Sequence, residues 1–167
     1  MTGLPNRRQF TEDVETLLRE FPDALVTAVM LDVDHLKQYN DAYGHPAGDR
    51  CLQRIAASVG AANGPETATL YRLGGEEFAA LITTGTITDA EAAAQMMVDV
   101  VAAAGIESAD PRRPVTVSAG LAVVCQDDDL NAMMARADAA LYNAKRTGRN
   151  RLVVDRSGLS ETSDQCV

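Results

Sequence analysis

Apolar residues along the chain recur with helical spacing in some segments and form short continuous runs in others. Helical spacing follows Asn6, a suitable N-cap, and predicts a helix to about Glu20. The apolar run Leu25–Val33 is rich in β-branched residues and short enough to predict a buried strand. A short helix is predicted over residues 35–43, ending at Gly44.

The rest of the chain continues this alternation. A helix begins near Pro46 and is predicted to end at Gly60 and Gly64. Further strands are predicted over residues 68–73, 78–83, 115–124 and 151–155, and further helices over residues 89–104 and 130–146. Helices interleaved with one hairpin and several strands predict an α/β sandwich around a mixed sheet.

Residues 74–78 read Gly-Gly-Glu-Glu-Phe and join two β-forming segments. Gly74 and Gly75 predict a tight hairpin, because glycine accepts positive φ angles and lets a ligand approach the backbone. Glu76 and Glu77 follow at the start of the return strand, where adjacent side chains point to opposite faces. A metal–phosphate site is one interpretation of these acids, and a solvated acidic hairpin is the commoner one.

Two further carboxylates, Asp32 and Asp34, lie where the predicted buried strand ends. This is the usual position for ligand-binding carboxylates in α/β folds. An EF-hand is excluded, because Leu36 replaces a ligand and Lys37 replaces the required glycine. Asp34 is explained equally well as a cap of the following helix. Asp32 needs a partner, which a cation shared with a glutamate of the hairpin would supply.

The segment from Gly44 to Asp49 is predicted to be a turn leading into a helix. Asp49 and the nearby Asn40 have the acceptors and donors that recognise a purine, guanine in particular. Asp49 is equally explained as a favourable negative charge in a first helical turn. His45 is better explained as ordering the turn than as an acid or base.

The other informative segment, residues 141–151, concentrates positive charge in an acidic protein. Lys145 and Arg149 would suit a triphosphate, one as a point charge and the other as a planar fork. Cations also complement a helix C-terminus, and Gly148 is well placed as a C-cap. By spacing alone the helix-terminus explanation is favoured.

Composition limits the possible functions. The chain has 167 residues, 46% of them hydrophobic, which is enough for one globular domain. The net charge of −9 disfavours general binding to nucleic acid or to an anionic membrane. The sequence has no long apolar run, and its three cysteines have no metal-ligand spacing. A reduced cytoplasm is therefore the simplest setting.

Taken together and in order, these segments resemble the GGDEF family, whose active members are diguanylate cyclases. The likeness covers nearly the whole chain, through residues 31–41, 44–49, 72–78, 118–120 and 137–150. It implies an α/β (α+β) fold with a central mixed, largely antiparallel sheet surrounded by helices, similar to the catalytic domain of adenylyl cyclases. We expect this domain to occupy residues 1–155, and residues 156–167 to form a polar, frayed tail.

The resemblance also implies an activity. Active members condense two GTP molecules into cyclic di-GMP and release two pyrophosphates. They act as homodimers, so each chain would contribute one metal–GTP half-site. The alternative is a catalytically silent family member that binds GTP or another protein.

The family pattern implies roles for particular residues of this chain. Asp32 and Glu76 would bind Mg²⁺ or Mn²⁺ with the Val33 carbonyl, with Glu77 a secondary candidate, and Glu76 would promote attack by the ribose 3′-hydroxyl. Guanine is expected to contact Asn40 and Asp49, with His45 nearby. The triphosphate is expected to bind the backbone amides of His35 and Leu36 and the side chains of Lys37, Lys145 and Arg149. Gly74 and Gly75 would leave room for the nucleotide at the hairpin.

The chain also departs from the family pattern. The usual product-inhibition site, Arg-x-x-Asp, is replaced by Pro65 and Ala68 at its two functional positions, so inhibition through that site should be lost. Leu36 replaces the common Phe, a mild change where backbone amides bind. An upstream sensory or dimerising domain, which family members usually carry, is not contained in this chain. We therefore expect either an excised domain or a minimal protein that needs a partner for close pairing.

Overall fold

The computed structural model describes residues 2–21, 24–62, 68–157, with the exception of 125–129, and the short segments 159–160 and 163–166. The helices are Arg7–Glu20 (α1), Leu36–Tyr43 (α2), His45–Ala62 (α3), Ile87–Ala103 (α4) and Leu130–Arg146 (α5). The strands are Leu25–Val33 (β1), Ala68–Gly74 (β2), Glu77–Thr84 (β3), Val117–Val123 (β4), Leu152–Asp155 (β5), Leu159–Ser160 (β6) and Ser163–Cys166 (β7).

The first five strands form one sheet in the order β2-β3-β1-β4-β5. The central strand β1 pairs antiparallel with β3 on one side and with β4 on the other. The β2–β3 pair is an antiparallel hairpin, and β4 and β5 pair in parallel. The sheet is therefore mixed and largely antiparallel, which confirms the predicted fold class.

The core forms two layers, one on each face of the sheet. Alternate residues of β1, such as Val29 and Leu31, pack with α2, α3 and α4. The residues between them, such as Ala28 and Met30, pack with α1 and α5. Because β1 is covered on both faces, its sequence is continuously apolar instead of alternating. The even-numbered Asp32 therefore projects toward the layer that contains α5.

Gly120 explains how closely α5 approaches the sheet. A Cβ atom at this position would lie 2.2 Å from the Ala137 carbonyl oxygen and 2.2 Å from the Leu141 backbone nitrogen. Both atoms belong to the backbone of α5 and cannot move without the helix. The bare glycine thus fixes the distance between β4 and the helix that carries Lys145.

The predicted helix boundaries at Asn6 and Gly60 have different outcomes. Asn6 caps α1, as expected, by accepting a hydrogen bond from the Gln9 backbone N–H at 3.1 Å. The predicted end of α3 at Gly60 is wrong, since the helix continues to Ala62. Gly60 is exposed, and added side-chain atoms there would meet only open space. A glycine on such a surface weakens a helix without ending it. Gly64 lies outside the described residues.

Beyond β5, the strands β6 and β7 pair with each other as a separate two-stranded sheet. They fall within residues 156–167, and the division of the chain at residue 155 stays a prediction. No helix in the described part of the chain is both long and apolar enough to span a membrane.

Candidate active site

The fold brings an acidic and basic cluster together at the end of β1. Asp32 is 7% exposed, and its Oδ1 lies 2.8 Å from the Nζ of Lys145 on α5. Partial burial raises the pKa of Glu76 in the hairpin, and the negative charge of Asp32 raises it further. The Lys145 ammonium opposes this shift in pKa, and nearby Glu77 adds to it. Two carboxylates and one ammonium thus share a site built from three elements.

The hairpin places its two glutamates differently from the expectation that both begin the return strand. Gly75 and Glu76 are the turn residues, and only Glu77 begins β3, where it pairs with Gly74. Gly75 has φ +47°, and Arg72 holds its carbonyl through Nη2 at 2.7 Å. The different surroundings of the two acids therefore come from the turn, and not from strand alternation.

The side chain of Glu77 lies next to Arg7 of α1. Its Oε2 lies 3.9 Å from Arg7 Nη2, and about half of each side chain is exposed. Such exposed pairs contribute little to stability. Above the turn, Gly74 and Gly75 have no atoms within 4 Å of an added Cβ. The hairpin tip is therefore open enough for a ligand to reach its backbone.

Asp32, Glu76 and the Val33 carbonyl offer oxygen ligands of the kind that Mg²⁺ and Mn²⁺ prefer. Within the described residues, no three His, Cys, Asp or Glu side chains converge closely enough to bind a metal by themselves. Mg²⁺ commonly takes one or two carboxylates from the protein and its other ligands from water and substrate phosphates. The two acids and the raised pKa of Glu76 fit a cation shared with a phosphate ligand.

The turn between β1 and α2 leads into a helix whose first backbone amides are not capped by a described side chain. His35 has φ +61° and forms no side-chain cap, so the first amides of α2 are free of side-chain capping. Leu36 is buried and anchors the helix start, whereas His35 and Lys37 are exposed. Uncapped amides at a helix N-terminus favour an anion. This geometry agrees with the expected role of the His35 and Leu36 backbone.

The alternative prediction that Asp34 caps α2 is wrong. Its Oδ1 accepts a hydrogen bond from Ser118 Oγ at 2.7 Å, and its Oδ2 accepts one from Thr116 Oγ1 at 2.7 Å. The Asn150 backbone N–H also donates to Oδ2, at 3.1 Å. The carboxylate is thus bound by β4, the residue before it and the loop after α5, and it does not cap α2. Sequence reasoning missed all three, since each is more than 80 residues from Asp34.

Asn40 on α2 faces the first turns of α3. Its Oδ1 is buried and has no hydrogen-bond partner among the described residues. An added Cβ on Gly48 would lie 1.8 Å from this oxygen, so only glycine leaves room for the amide. An unpaired buried polar atom is costly and is a common property of a ligand site. Gly48 is thus a candidate functional residue that was not predicted from the sequence. A glycine inside a predicted helix is the feature that could have identified it.

The other expected guanine contacts lie on the same helix. His45 is the first residue of α3, and Asp49 follows Gly48; both side chains are exposed. The predicted turn over residues 44–49 is therefore helical from His45 onward. Asp49 is the fifth residue of α3 and lies outside its first turn, so the predicted favourable charge in a first helical turn is wrong. Its exposed side chain is available to a ligand.

The end of α5 has a hydrogen bond of the Schellman type next to Gly148, the predicted C-cap. The Arg149 N–H donates to the Ala144 carbonyl at 3.0 Å, and Gly148 has φ +130°. The Arg149 side chain is 44% exposed, and its Nε lies 4.0 Å from Asp34 Oδ1. The helix terminus thus places Arg149 beside the β1–α2 turn. Its role with a triphosphate stays a prediction.

A cavity of about 600 Å³ lies behind this turn, between α2, the loop before β4 and the loop after α5. His35, Leu36 and Arg149 contribute to its wall, whereas Asn40, Asp49 and Glu76 do not. Val33, whose carbonyl is a predicted metal contact, also lines the cavity, whereas Lys37 and Lys145 do not. The cavity therefore contains only part of the predicted site.

Comparison with known proteins identifies the family. Residues 1–151 match the family described as "Diguanylate cyclase, GGDEF domain". The chain is 34% identical over 151 residues to diguanylate cyclase DgcZ of Escherichia coli (strain K12), covering 90% of this chain and 51% of DgcZ. It therefore spans about half the length of that relative.

Comparison with solved structures gives the same result. The GGDEF domain of DgcB from Caulobacter crescentus in complex with c-di-GMP superimposes with a TM-score of 0.81 at 30% identity, covering 92% of each chain. The active GGEEF domain of a diguanylate cyclase from Vibrio cholerae gives a TM-score of 0.76 at 26% identity, covering 90% of this chain and 97% of that one. Family match, relatives and fold together show that this chain belongs to the GGDEF family.

Proposed function

We propose that the chain is a diguanylate cyclase domain that condenses two GTP molecules into cyclic di-GMP and two pyrophosphates. The observation that carries this proposal is the convergence of Asp32, Glu76 and Lys145 at one end of the sheet. Phosphoryl transfer depends mainly on positioning and on compensation of negative charge. A cluster of two acids and one ammonium next to uncapped helix amides provides both.

The metal site of the proposal consists of Asp32, Glu76 and the Val33 carbonyl. A bound Mg²⁺ or Mn²⁺ would compensate phosphate charge and lower the pKa of the attacking hydroxyl. Glu76 is the proposed catalytic residue, accepting the proton of the ribose 3′-hydroxyl. Partial burial and the charge of Asp32 raise the pKa of Glu76, and a bound cation would oppose that shift.

The triphosphate would lie between the β1–α2 turn and the end of α5. The His35 and Leu36 amides would donate to phosphate oxygens, and Lys37, Lys145 and Arg149 would supply positive charge. Lys145 is bound to Asp32 at 2.8 Å in the ligand-free structure. Binding of the metal and nucleotide would transfer Asp32 to the metal and release the ammonium of Lys145 to the phosphates.

Guanine recognition is assigned to Asn40 and Asp49. The buried amide oxygen of Asn40 has no hydrogen-bond partner in the described part of the chain, and a ligand could provide one. A carboxylate such as Asp49 accepts from the N1–H and exocyclic amine of guanine, a pair of donors that adenine does not offer. His45 lies near them at the start of α3 and is an auxiliary substrate neighbour.

Two copies of the chain are needed in this proposal. The product is two-fold symmetric, and each chain holds one nucleotide, so two half-sites must face each other. The product-inhibition site of the family should be absent, because Pro65 and Ala68 replace its arginine and aspartate. Pro65 lies outside the described residues, and Ala68 begins β2. We also infer a cytoplasmic location, where GTP is available.

The experiment that tests the proposal uses the chain fused to a coiled coil that brings two copies together. Incubation with GTP and Mg²⁺ is expected to yield cyclic di-GMP and two equivalents of pyrophosphate, resolved by chromatography. The matched control is Glu76→Gln in the same fusion, which should fold and bind GTP but form no product. GTP binding without product from the wild-type fusion would favour the catalytically silent alternative.

A further inference from the structure

One buried carboxylate, that of Asp34, connects the two loops assigned to the triphosphate. It lies at the end of the first strand, and its side chain is only 1% exposed. The hydroxyls of Thr116 and Ser118 donate to it from the β4 side, each at 2.7 Å. The Asn150 N–H donates to it from the loop after α5, at 3.1 Å. Asp34 thereby ties the β1–α2 turn to the loop that carries Arg149.

The loop after α5 has a backbone conformation that depends on such support. Arg149 and Asn150 have φ angles of +62° and +47°, in the left-handed region that residues with side chains rarely adopt. Asparagine tolerates this region well, but arginine has no special preference for it. The hydrogen bond from Asn150 to Asp34 holds the second residue of this pair. The loop thus depends on a contact outside itself.

A neutral asparagine could keep the same hydrogen-bond partners, with its NH2 group donating where a carboxylate oxygen now accepts. The hydroxyls of Thr116 and Ser118 can accept as well as donate, so an asparagine amide at position 34 would find partners among them. Burying a negative charge is costly unless an opposite charge compensates it. The nearest such group is the guanidinium of Arg149, whose Nε lies 4.0 Å from Asp34 Oδ1. The charge of Asp34 is therefore explained by Arg149.

We propose that Asp34 is a positioning residue that fixes Arg149 for binding of the triphosphate. This inference rests on the proposed GTP site. Asp34 is too buried to contact the nucleotide, and its oxygens already accept three hydrogen bonds, so it acts through Arg149. A planar guanidinium forms paired hydrogen bonds to phosphate only when its orientation is right. The half-exposed Arg149 side chain owes that orientation to the carboxylate and to the left-handed turn.

The test measures nucleotide affinity in protein too dilute to form product, with Mg²⁺ present. Asp34→Asn keeps the side-chain shape and removes the charge, and should weaken GTP binding about ten-fold, a factor typical of losing one charged hydrogen bond. Guanosine, which lacks phosphates, should bind within two-fold of its wild-type affinity. If Asp34 had a purely structural role, its replacement would lower the affinity for GTP and for guanosine by the same factor.

A double-mutant cycle tests whether the effect passes through Arg149. Arg149→Ala should weaken GTP binding, and adding Asp34→Asn to it should change the affinity by less than two-fold. Independent losses that multiply in the double variant would overturn the proposal. Unchanged GTP affinity in Asp34→Asn alone would overturn it equally, and so would an equal loss of guanosine affinity.

The double variant Thr116→Val/Ser118→Ala is the matched control, and it decides the matter even if Asp34→Asn does not fold. It removes two hydrogen bonds from the same carboxylate and keeps both the charge and the Asn150 contact. Its thermal stability should fall, while its GTP affinity stays within two-fold of the wild type. A ten-fold loss of affinity would show that packing, and not the charge, positions Arg149. Failure of the wild type to bind GTP would refute the proposed function as well.

Discussion

Replacing Gly48 by alanine should separate guanine recognition from folding. The new Cβ would lie 1.8 Å from Asn40 Oδ1 and 2.9 Å from Asn40 Cγ. These atoms are the end of a flexible side chain, so Asn40 can rotate away without moving α2. Its amide oxygen has no partner among the residues that the structure describes, so moving that oxygen breaks no hydrogen bond to them. The variant should therefore fold and lose one contact with the base.

The magnitude follows from the hydrogen bonds that a displaced amide no longer makes. Each contributes about 0.5–1.5 kcal/mol, so losing two costs about 1–3 kcal/mol of GTP binding. That corresponds to roughly a 5- to 150-fold rise in Kd. Alanine gains up to about 1 kcal/mol of helix propensity over glycine, which offsets the cost of moving Asn40. Stability should consequently stay equal or rise slightly while GTP affinity falls.

Gly60→Ala is the matched control in the same helix. This exposed position has open space around an added Cβ, so only the helix-propensity gain remains. We expect an increase of about 1 kcal/mol in stability, or about 2–4 °C in Tm, with unchanged nucleotide affinity. The assay is calorimetric titration with GTP and, for comparison, ATP. The reasoning is refuted if Gly48→Ala binds GTP as tightly as Gly60→Ala, or if it loses affinity for both nucleotides equally.

Three other variants test the cluster and its support. Lys145→Met removes the ion-pair partner of Asp32, so Mn²⁺ should bind about five-fold more tightly in the absence of nucleotide, as measured by electron paramagnetic resonance. GTP should bind more weakly, because the ammonium proposed to contact the phosphates is lost. Glu76→Gln removes a carboxyl group whose pKa is raised in the folded protein, so ionisation of this group destabilises the fold as pH rises above about 4.5. In EDTA at pH 7 the variant should therefore have a higher Tm than the wild type. At lower pH the difference in Tm should vanish. The added Cβ of Gly120→Ala would lie 2.2 Å from backbone atoms of α5, so the free energy of unfolding in urea should fall by about 3 kcal/mol. A urea midpoint equal to that of the wild type would contradict the close packing of α5 on β4.

Local signals in the sequence predicted much of the fold. The bounds of β1, Leu25–Val33, and of α5, Leu130–Arg146, match the predictions because apolar periodicity and end signals coincide there. Asn6 was identified as a cap for the same reason. At Gly60 the local signal misled, since packing of the preceding turns of α3 on the core outweighs one exposed glycine.

Contacts between distant segments were beyond the sequence. Asp34 was interpreted from its neighbours in the chain, yet its hydrogen-bond partners are 82, 84 and 116 residues away. The ion pair between Asp32 and Lys145 is equally long-range, and it arises because α5 crosses the layer toward which Asp32 projects. The sequence pattern identified the motif residues. The distances between their side chains depend on the order of the strands in the sheet, which the pattern does not contain.

The central claim is that one chain supplies half of an active site and a second copy supplies the other half. The most direct test is the initial rate of cyclic di-GMP formation at saturating GTP and Mg²⁺ over a range of protein concentrations. For the untethered chain, the logarithm of the rate should rise with the logarithm of concentration with a slope approaching two in the dilute limit. A tethered pair should give a slope of one. A slope of one from untethered protein, shown to be monomeric by ultracentrifugation, would contradict the account.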